Sequence, residues 1–259
     1  MTHSRSTQVN DSVDVVQECW KADRKLKAVR DQRRWYPGWK DLFDRCLAVV
    51  MTLCLLPLMI GIGIVIALDS PGNPLFIQER VGRGGRRFFL YKFRSMYREH
   101  DDGKYLTYIR KYVQENLDTV TDEAGNDIWG LIHDPRVTPM GRLLRRTSLD
   151  ELPQLFNIIK GDMSFVGPRP DIPMAVDLYT PRHTMRLQVK PGLTGAWQVL
   201  PDRRDLSFDE VVDVDLDYID HRSFFRDLKI LWGTAFQMFR TGEPETNENK
   251  VAEPRGVRQ

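Results

Sequence analysis

An uncharged apolar run of 22 residues, from Leu47 to Leu68, restricts the possible folds of this chain more than any other stretch. As a straight helix it would be roughly 33 Å long, which is enough to cross the hydrocarbon core of a bilayer. Buried helices of soluble proteins seldom stay uncharged over this length, so the run predicts membrane insertion. Trp35, Tyr36 and Trp39 precede it, and aromatic side chains in that position are typical of the membrane–water interface.

The course of this helix through the membrane depends on Pro57, which lies in the middle of the run. A proline inside a helix removes one hydrogen bond and kinks the axis. Both flanks are basic, with Lys40 and Arg45 before the run and Arg80, Arg83, Arg86 and Arg87 after it. The positive-inside rule therefore predicts that both ends lie in the cytoplasm. A re-entrant helix, which enters and leaves by the same face, fits these facts better than the alternative, a spanning helix.

A second informative stretch runs from Thr147 to Pro170 and contains two adjacent carboxylates, Asp150 and Glu151. A short apolar helical face follows them, made of Leu152, Leu155, Phe156 and Ile159. Pro153 suits the first turn of that helix, and Gly161 is expected to end it. We expect Asp150 to be the N-cap, because a capping box of Ser148 and Glu151 would place Pro153 one position too deep.

Arginines stand on both sides of this acid pair. Arg142, Arg145 and Arg146 precede it, and Arg169 follows between two prolines. Carboxylates at the positive end of a helix dipole, with arginines around them, suit the binding of a metal-bound phosphate ester. The structural alternative is an ordinary N-cap with a first-turn acid beside a solvated basic face.

The segment from Arg80 to Arg98 carries seven positive charges, has no acid, and is interleaved with aromatic residues. Three interpretations are open: contact with anionic lipid head groups, contact with substrate phosphates, or binding of RNA. The spacing does not match an RNA-recognition strand, and a membrane helix lies next to the segment. We therefore expect lipid contact for the early arginines and no nucleic-acid partner.

Other site chemistries find no support in the sequence. The three cysteines, Cys19, Cys46 and Cys54, have no CxxC spacing, and the histidines form no HExxH motif. There is no P-loop and no dinucleotide fingerprint. A disulfide framework and a zinc site are therefore not expected. The cysteines instead predict a reduced compartment.

Three stretches together resemble one family. LRRTSLDELPQLFNIIKGDMSFVGPRP (residues 144–170), DSPGNPLFIQERVGRGGRRFFLYKFRSM (69–96) and KPGLTGAWQV (190–199) resemble the bacterial sugar transferases, the monotopic phosphoglycosyl transferases of the undecaprenyl-phosphate hexose phosphotransferase type. The resemblance runs from about Lys40 to Phe239 and is interrupted by an insertion at 99–131. In one departure, Leu56 stands before the proline where many members have a serine, whose hydroxyl can satisfy a carbonyl freed by the kink.

The resemblance implies a specific reaction. A sugar-1-phosphate would pass from a UDP-sugar to polyprenyl (undecaprenyl) phosphate with release of UMP, as the initiating step of exopolysaccharide, capsule or O-antigen synthesis. By resemblance Asp150 is the nucleophile that forms a covalent phosphosugar intermediate, and Glu151 holds Mg²⁺. The residues that the resemblance assigns to substrate binding are Lys92, Arg94, Arg145 and Arg169. Pro57 is the membrane kink.

The resemblance and the apolar run together predict an α+β fold that is mostly helical. A compact cytosolic catalytic domain, with a re-entrant N-terminal membrane helix and interfacial amphipathic helices, would lie on the cytoplasmic face of the bacterial inner membrane. The expected parts are a polar extension (1–39), the membrane helix (40–69), the catalytic domain (70–240) with its insertion (99–131), and a disordered tail (241–259). We expect helices in the insertion, over 208–218 and over 224–239; the apolar stripe of the last is either core or interfacial.

Two other function classes remain as alternatives. A non-catalytic membrane scaffold of polysaccharide assembly would use the basic surface and would not need the acid pair. A nucleotidyl transferase or an ordinary glycosyl transferase would release pyrophosphate or UDP in place of UMP. The identity of the sugar, the final glycan and the oligomeric state, a homodimer included, cannot be read from the residues.

Overall fold

The computed structural model describes residues 35–97, 103–115, 136–201, 203 and 206–240. Residues 1–34 of the polar N-terminal extension, the tail 241–259 and most of the insertion lie outside the described residues, whereas residues 35–39 of that extension belong to the first helix. The helices are α1 (Trp35–Asp69), α2 (Gly103–Gln114), α3 (Pro139–Thr147), α4 (Leu155–Lys160), α5 (Pro173–Val176), α6 (Pro181–Thr184), α7 (Phe208–His221) and α8 (Phe224–Arg240). The strands are β1 (Leu75–Val81), β2 (Arg87–Phe93), β3 (Ser164–Val166) and β4 (Gly192–Thr194). The expectation of a mostly helical chain with a few strands is confirmed.

Helix α1 is continuous through Pro57. Its segment Gly38–Asp69 is long and apolar enough to cross a membrane, and only 22% of its most apolar window is buried in the protein. One stripe, whose members are three, four or seven residues apart, is buried: Asp44, Ala48, Thr52, Met59, Ile62 and Ile66. The opposite face exposes large apolar side chains such as Leu53, Ile60 and Leu68. This exposed face supports the expected membrane association.

The core is built against the buried stripe of α1. In a first cluster, Ala48 lies with Leu155, Ile158 and Phe165. In a second cluster, the three residues Met59, Ile62 and Ile66 pack with Phe93 and Leu144. The contacts follow α1 along most of its length, so the helix shares its apolar interior with the domain that follows it.

Strands β1 and β2 form an antiparallel hairpin, in register from Leu75 opposite Phe93 to Val81 opposite Arg87. Since side chains alternate along a strand, Gln78 and Arg80 lie on the same face as Lys92. Asn157 of α4 bonds to the outer edge of β2: its Oδ1 accepts from Tyr91 N at 3.1 Å, and its Nδ2 donates to the Phe89 carbonyl at 2.7 Å. This amide attaches α4 and the segment before it to β2.

The parallel pair of β3 and β4 depends on glycines. A Cβ on Gly192 would lie 2.1 Å from the Gly167 nitrogen, and one on Gly167 would lie 2.5 Å from the Lys190 carbonyl oxygen. Only glycine allows two backbones to approach this closely. The loop that carries Arg169 therefore leaves β3 at a fixed point.

The other three predicted helices, in the insertion and in the two C-terminal segments, are confirmed. The inserted helix α2 packs through Val113 against Ile172 and Phe208, which makes this part of the insertion a packed elaboration. Helix α7 matches the acidic segment, and α8 matches the apolar one. On α8, Ile230 is buried while Phe225 is 80% exposed and Trp232 is 76% exposed, so much of its apolar surface faces outward.

Candidate active site

The acid pair lies in the first turn of a 3₁₀ helix, Leu149–Gln154, between α3 and α4. Ser148 joins this turn to α3 with a φ of 54°, and among the described residues it is the one non-glycine with a positive φ. Such strain in a non-glycine residue persists when the surrounding structure enforces it, and it is common at functional sites. Ser148 thus sets the direction in which Asp150 and Glu151 leave α3.

Two details of the local prediction are wrong. Asp150 is not an N-cap, because α4 begins only at Leu155 and a 3₁₀ turn comes before it. The predicted apolar face is also shifted, because Phe156, which belongs to the predicted face, is exposed, whereas Ile158, which does not, is fully buried. The tighter 3₁₀ turn, with three residues per turn, changes the phase of the apolar face. The predicted end at Gly161 is confirmed, with a φ of 86°.

Asp150 lies in an environment of mixed charge. Burial, and then the negative charge of Glu151, raise the pKa of its carboxyl from 3.8 to about 6. The positive charges of Lys92, Arg145 and Arg169 oppose that rise in pKa. The structure therefore brings together five of the predicted site residues: both acids and three of the four cations.

Arg145 is held in place by its own helix and by the end of β2. The Thr138 hydroxyl accepts from Gly141 N at 2.9 Å and starts α3. A Cβ on Gly141 would lie 2.0 Å from the Ser95 carbonyl oxygen, so α3 approaches β2 as closely as a glycine allows. From α3 the Arg145 Nε donates to the Ser95 hydroxyl at 2.9 Å. This contact directs the guanidinium to the side of the acid pair.

The other two cations reach the acids from different elements. Arg169 Nη2 donates to Glu151 Oε1 at 3.1 Å, with the arginine side chain 43% exposed. Lys92 Nζ lies 5.0 Å from the centroid of the Phe76 ring. Burial lowers the pKa of Lys92 from 10.5 to about 8, against the opposing charge of Asp150. A substrate phosphate at this site would meet positive charge from β2, from α3 and from the loop after β3.

The structure places Arg94 elsewhere. Its Nη2 donates to the Ser70 carbonyl at 2.6 Å, and its Nη1 donates to the Pro71 carbonyl at 3.0 Å. A cation there satisfies carbonyls at the end of α1 and complements the helix dipole. The guanidinium of Arg94 is therefore bound at the end of α1, and its substrate-binding role stays a prediction.

Sequence reasoning missed Arg80, for which it expected lipid contact. Arg80 Nη1 donates to the Pro170 carbonyl at 3.0 Å, and Nη2 donates to Gln78 Oε1 at 2.6 Å. Its charge also helps to lower the pKa of Lys92. The two-residue strand period, which puts Arg80 and Lys92 on one face of the hairpin, was the signal that could have found it.

The two carboxylates of this site suit magnesium only if a substrate supplies further oxygen ligands. Within the described ranges no group of three or more His, Cys, Asp or Glu side chains could form a metal cage. Mg²⁺ usually keeps several waters and binds through one or two carboxylates plus substrate phosphates. The pair of Asp150 and Glu151 fits that kind of site, in which the substrate completes the coordination.

A sequence model of the family described as "Bacterial sugar transferase" matches residues 35–241, which include α1 and the candidate site. The chain belongs to the bacterial sugar transferase family. The resemblance found in the three sequence motifs is therefore confirmed for both the membrane helix and the domain that follows it.

Several curated members of the family are similar to this chain. The undecaprenyl-phosphate galactose phosphotransferase of Salmonella typhimurium is 38% identical over 201 residues, which cover 78% of this chain and 40% of that protein. The exopolysaccharide production protein ExoY of Rhizobium meliloti is 37% identical over 195 residues, 75% of this chain and 83% of ExoY. The UDP-glucose:undecaprenyl-phosphate glucose-1-phosphate transferase of Caulobacter vibrioides is 36% identical over 209 residues, 78% and 70% of the two chains. Against some relatives, including the Salmonella protein, the chain spans about two fifths of their length.

Proposed function

We propose that this family member transfers a sugar-1-phosphate from a UDP-sugar to polyprenyl phosphate, most simply undecaprenyl phosphate, and releases UMP. The reaction would initiate synthesis of an exopolysaccharide, capsule or O-antigen. The names of the Salmonella and Caulobacter relatives give undecaprenyl phosphate as acceptor, and that of the Caulobacter protein gives a UDP-sugar as donor. They differ in the sugar, galactose or glucose, so the relatives support the reaction class and leave the sugar open.

The observation that carries the proposal is the environment of Asp150. A pKa of about 6 leaves its carboxylate mostly ionised at pH 7.5, as a nucleophile must be. Burial has removed part of its hydration, and Lys92, Arg145 and Arg169 surround the position where an incoming diphosphate would add negative charge. An anion can attack an anionic phosphate only where such cations screen the repulsion.

The steps balance as a double displacement. An Asp150 carboxylate oxygen attacks the sugar-bearing phosphorus, a phosphorus–oxygen bond of the diphosphate breaks, and UMP leaves. The oxygen of the polyprenyl phosphate then attacks the same phosphorus. This attack breaks the acyl-phosphate bond, restores the Asp150 carboxylate and forms the lipid diphosphate sugar.

The remaining site residues bind and orient the substrates in this scheme. Arg145 and Arg169, held by Ser95 and Glu151, would bind the donor diphosphate, and Lys92 would stabilise charge next to the nucleophile. Magnesium, held by Glu151 and Asp150 together with donor oxygens, would supply further screening of the diphosphate charge.

We also propose that α1 is re-entrant and that both its ends lie on the cytoplasmic side of the inner membrane. Lys40 Nζ, at its start, lies 2.5 Å from Asp227 Oδ2 of α8, and the carbonyls at its other end bind Arg94. Both ends therefore contact one charged domain, which would not be expected if α1 carried them to opposite sides of a bilayer. Phe225 and Trp232 on the outer face of α8 would then lie in the lipid interface.

The test is nucleotide release from detergent-solubilised protein with Mg²⁺, undecaprenyl phosphate and a panel of UDP-sugars. We expect UMP from one donor, and loss of that UMP with EDTA or with Asp150→Asn. Asp177→Asn, which changes an exposed carboxylate, is the matched control and should keep the activity. Release of UDP would establish direct glycosyl transfer, and silence across the panel would favour the membrane scaffold.

A further inference from the structure

The loop Pro168–Pro170 is anchored on both sides of Arg169. On one side the Pro168 carbonyl accepts from Gly192 N at 2.9 Å. On the other side the Pro170 carbonyl accepts from Arg80 Nη1 at 3.0 Å. The two prolines have fixed φ angles, and the second also restricts the backbone of Arg169. The two carbonyl contacts therefore decide where the Arg169 side chain begins.

We propose that Arg80 is a positioning residue of the donor site, which holds Arg169 opposite Glu151 through the carbonyl of Pro170. The inference rests on the proposed function, because it concerns how tightly the nucleotide diphosphate is bound.

The guanidinium of Arg80 has a fixed orientation. While Nη1 bonds to the Pro170 carbonyl, Nη2 donates to Gln78 Oε1 at 2.6 Å from the same face of β1. The next residue of the strand contributes as well, since Val81 N donates to the Asp171 carbonyl at 2.9 Å. Strand β1 thus bonds to two successive carbonyls directly after Arg169. A planar fork of donors can make two such bonds at once, and a lysine ammonium on a flexible stem is a poor replacement.

The position of Arg80 also connects strand β1 to the candidate site, although β1 contributes neither of the two acids. Its charge lies close enough to Lys92 to lower the pKa of that lysine. Arg80 therefore lies near both other cations: it bonds to the loop that carries Arg169 and shares a face of the hairpin with Lys92. Movement of the loop would separate Arg169 from Glu151, and the donor diphosphate would lose one of its charged contacts.

The test measures binding without turnover. UDP with Mg²⁺ is titrated into detergent-solubilised protein that carries Asp150→Asn, and Kd is compared after Arg80→Gln, Arg80→Lys and Arg169→Ala. We expect both Arg80 variants to raise Kd by about tenfold or more, the usual effect of losing a hydrogen bond from a charged group. Arg110→Gln removes an exposed arginine of α2 and should leave Kd unchanged. Thermal unfolding of each variant checks the fold.

The double variant separates positioning from direct contact. If Arg80 acts through Arg169, Arg80→Gln should change Kd less than about twofold once Arg169→Ala is present, because coupled residues are non-additive. Effects that multiply would show that Arg80 binds UDP directly and would overturn the proposal. So would an unchanged Kd in Arg80→Gln while the parent binds UDP. A parent that binds no UDP would instead overturn the proposed function, and the inference with it.

Discussion

Two groups of charges in this domain each contain an aspartate whose pKa is raised to about 6, mainly by burial. The first is the acid pair with its cations. The second, here called the rear cluster, consists of Arg186, Asp215, Asp171 and Tyr179. Asp215 is fully buried and accepts from Arg186 Nε at 2.8 Å, whereas Asp150 is only partly buried and lies beside a second carboxylate. The comparison teaches that a raised pKa alone does not identify a nucleophile.

The difference lies in what the charges are paired with. In the rear cluster Arg186 also bonds to Asp171 at 2.8 Å, and the Tyr179 hydroxyl donates to that same carboxylate. The carboxylates there are paired directly with the buried Arg186, as in a structural ion pair. At the acid pair, cations from three elements face two like charges and leave the arrangement open to an anionic ligand. This is the pattern expected of a site that binds charge transiently.

The largest expected effect is on turnover at the acid pair. Asp150→Asn removes the proposed nucleophile while keeping the shape of the side chain, and should lower kcat by at least about a thousandfold. UMP release under saturating donor measures this loss. A variant that kept more than a tenth of the activity would assign the nucleophile to another group and remove the contrast between the two aspartates.

The next effect is on stability at the rear cluster. Arg186→Met leaves the fully buried Asp215 and the half-buried Asp171 without their shared cation and should lower the free energy of unfolding by about 3–5 kcal/mol. The kcat of the folded protein should change by less than about tenfold, and both are measured on one detergent preparation. Arg182→Met, an exposed neighbour on α6 that pairs with Asp213, is the control and should cost about 1 kcal/mol or less. Equal losses of stability in the two variants would refute a structural role for the rear cluster.

A third effect is a gain in folding stability, opposite in sign to the loss expected at the rear cluster. The pKa of Asp150 is raised from 3.8 to about 6, so the folded state binds this proton more tightly than the unfolded chain does. Stability is therefore lost as the pH rises between these values and stays constant above them. Asp150→Asn does not titrate and should be more stable than the parent by up to about 3 kcal/mol at pH 7.5, with a smaller gain at pH 4.5. Thermal unfolding at both pH values measures the gain; a variant less stable than the parent at pH 7.5 would contradict the assignment.

The smallest effect concerns the pH profile of kcat/KM. Activity should rise as Asp150 ionises near pH 6 and fall as Lys92, with a pKa of about 8, loses its proton. At pH 9 the parent should keep only about a tenth of its maximum. Lys92→Arg stays charged and should keep its activity from pH 7.5 to pH 9, so a basic limb that does not move would exclude Lys92 as its origin.

Much of this molecule could be predicted because its signals are local. The length and the lack of charge of α1, the periodicity of α2, α7 and α8, and the glycine after α4 are all properties of neighbouring residues. The acid pair and three of its cations came from long motifs that resemble one family. The structure brings those five residues together.

The positions that could not be read from the sequence depend mostly on contacts between distant segments. Arg94 is bound to the end of α1, 24 residues away at Ser70, and no local pattern shows where that helix ends in space. Arg80 belongs to the site because a hairpin register puts it on the face of Lys92. The N-cap expected at Asp150 failed because the left-handed Ser148 and a 3₁₀ turn replace the usual start of an α-helix.

The apolar interior that α1 shares with the domain that follows it has a consequence for biosynthesis. Ala48 leaves the ribosome well before Ile158 of the first cluster, and Met59, Ile62 and Ile66 leave it well before Leu144 of the second. At about 5–20 residues per second, a delay of several seconds separates them. During that interval both the outward and the inward apolar sides of α1 lack their final partners. A chain that never met lipid would keep the outward side chains, such as Leu53, Ile60 and Leu68, exposed to water even after the domain had folded, and a patch of that kind favours aggregation.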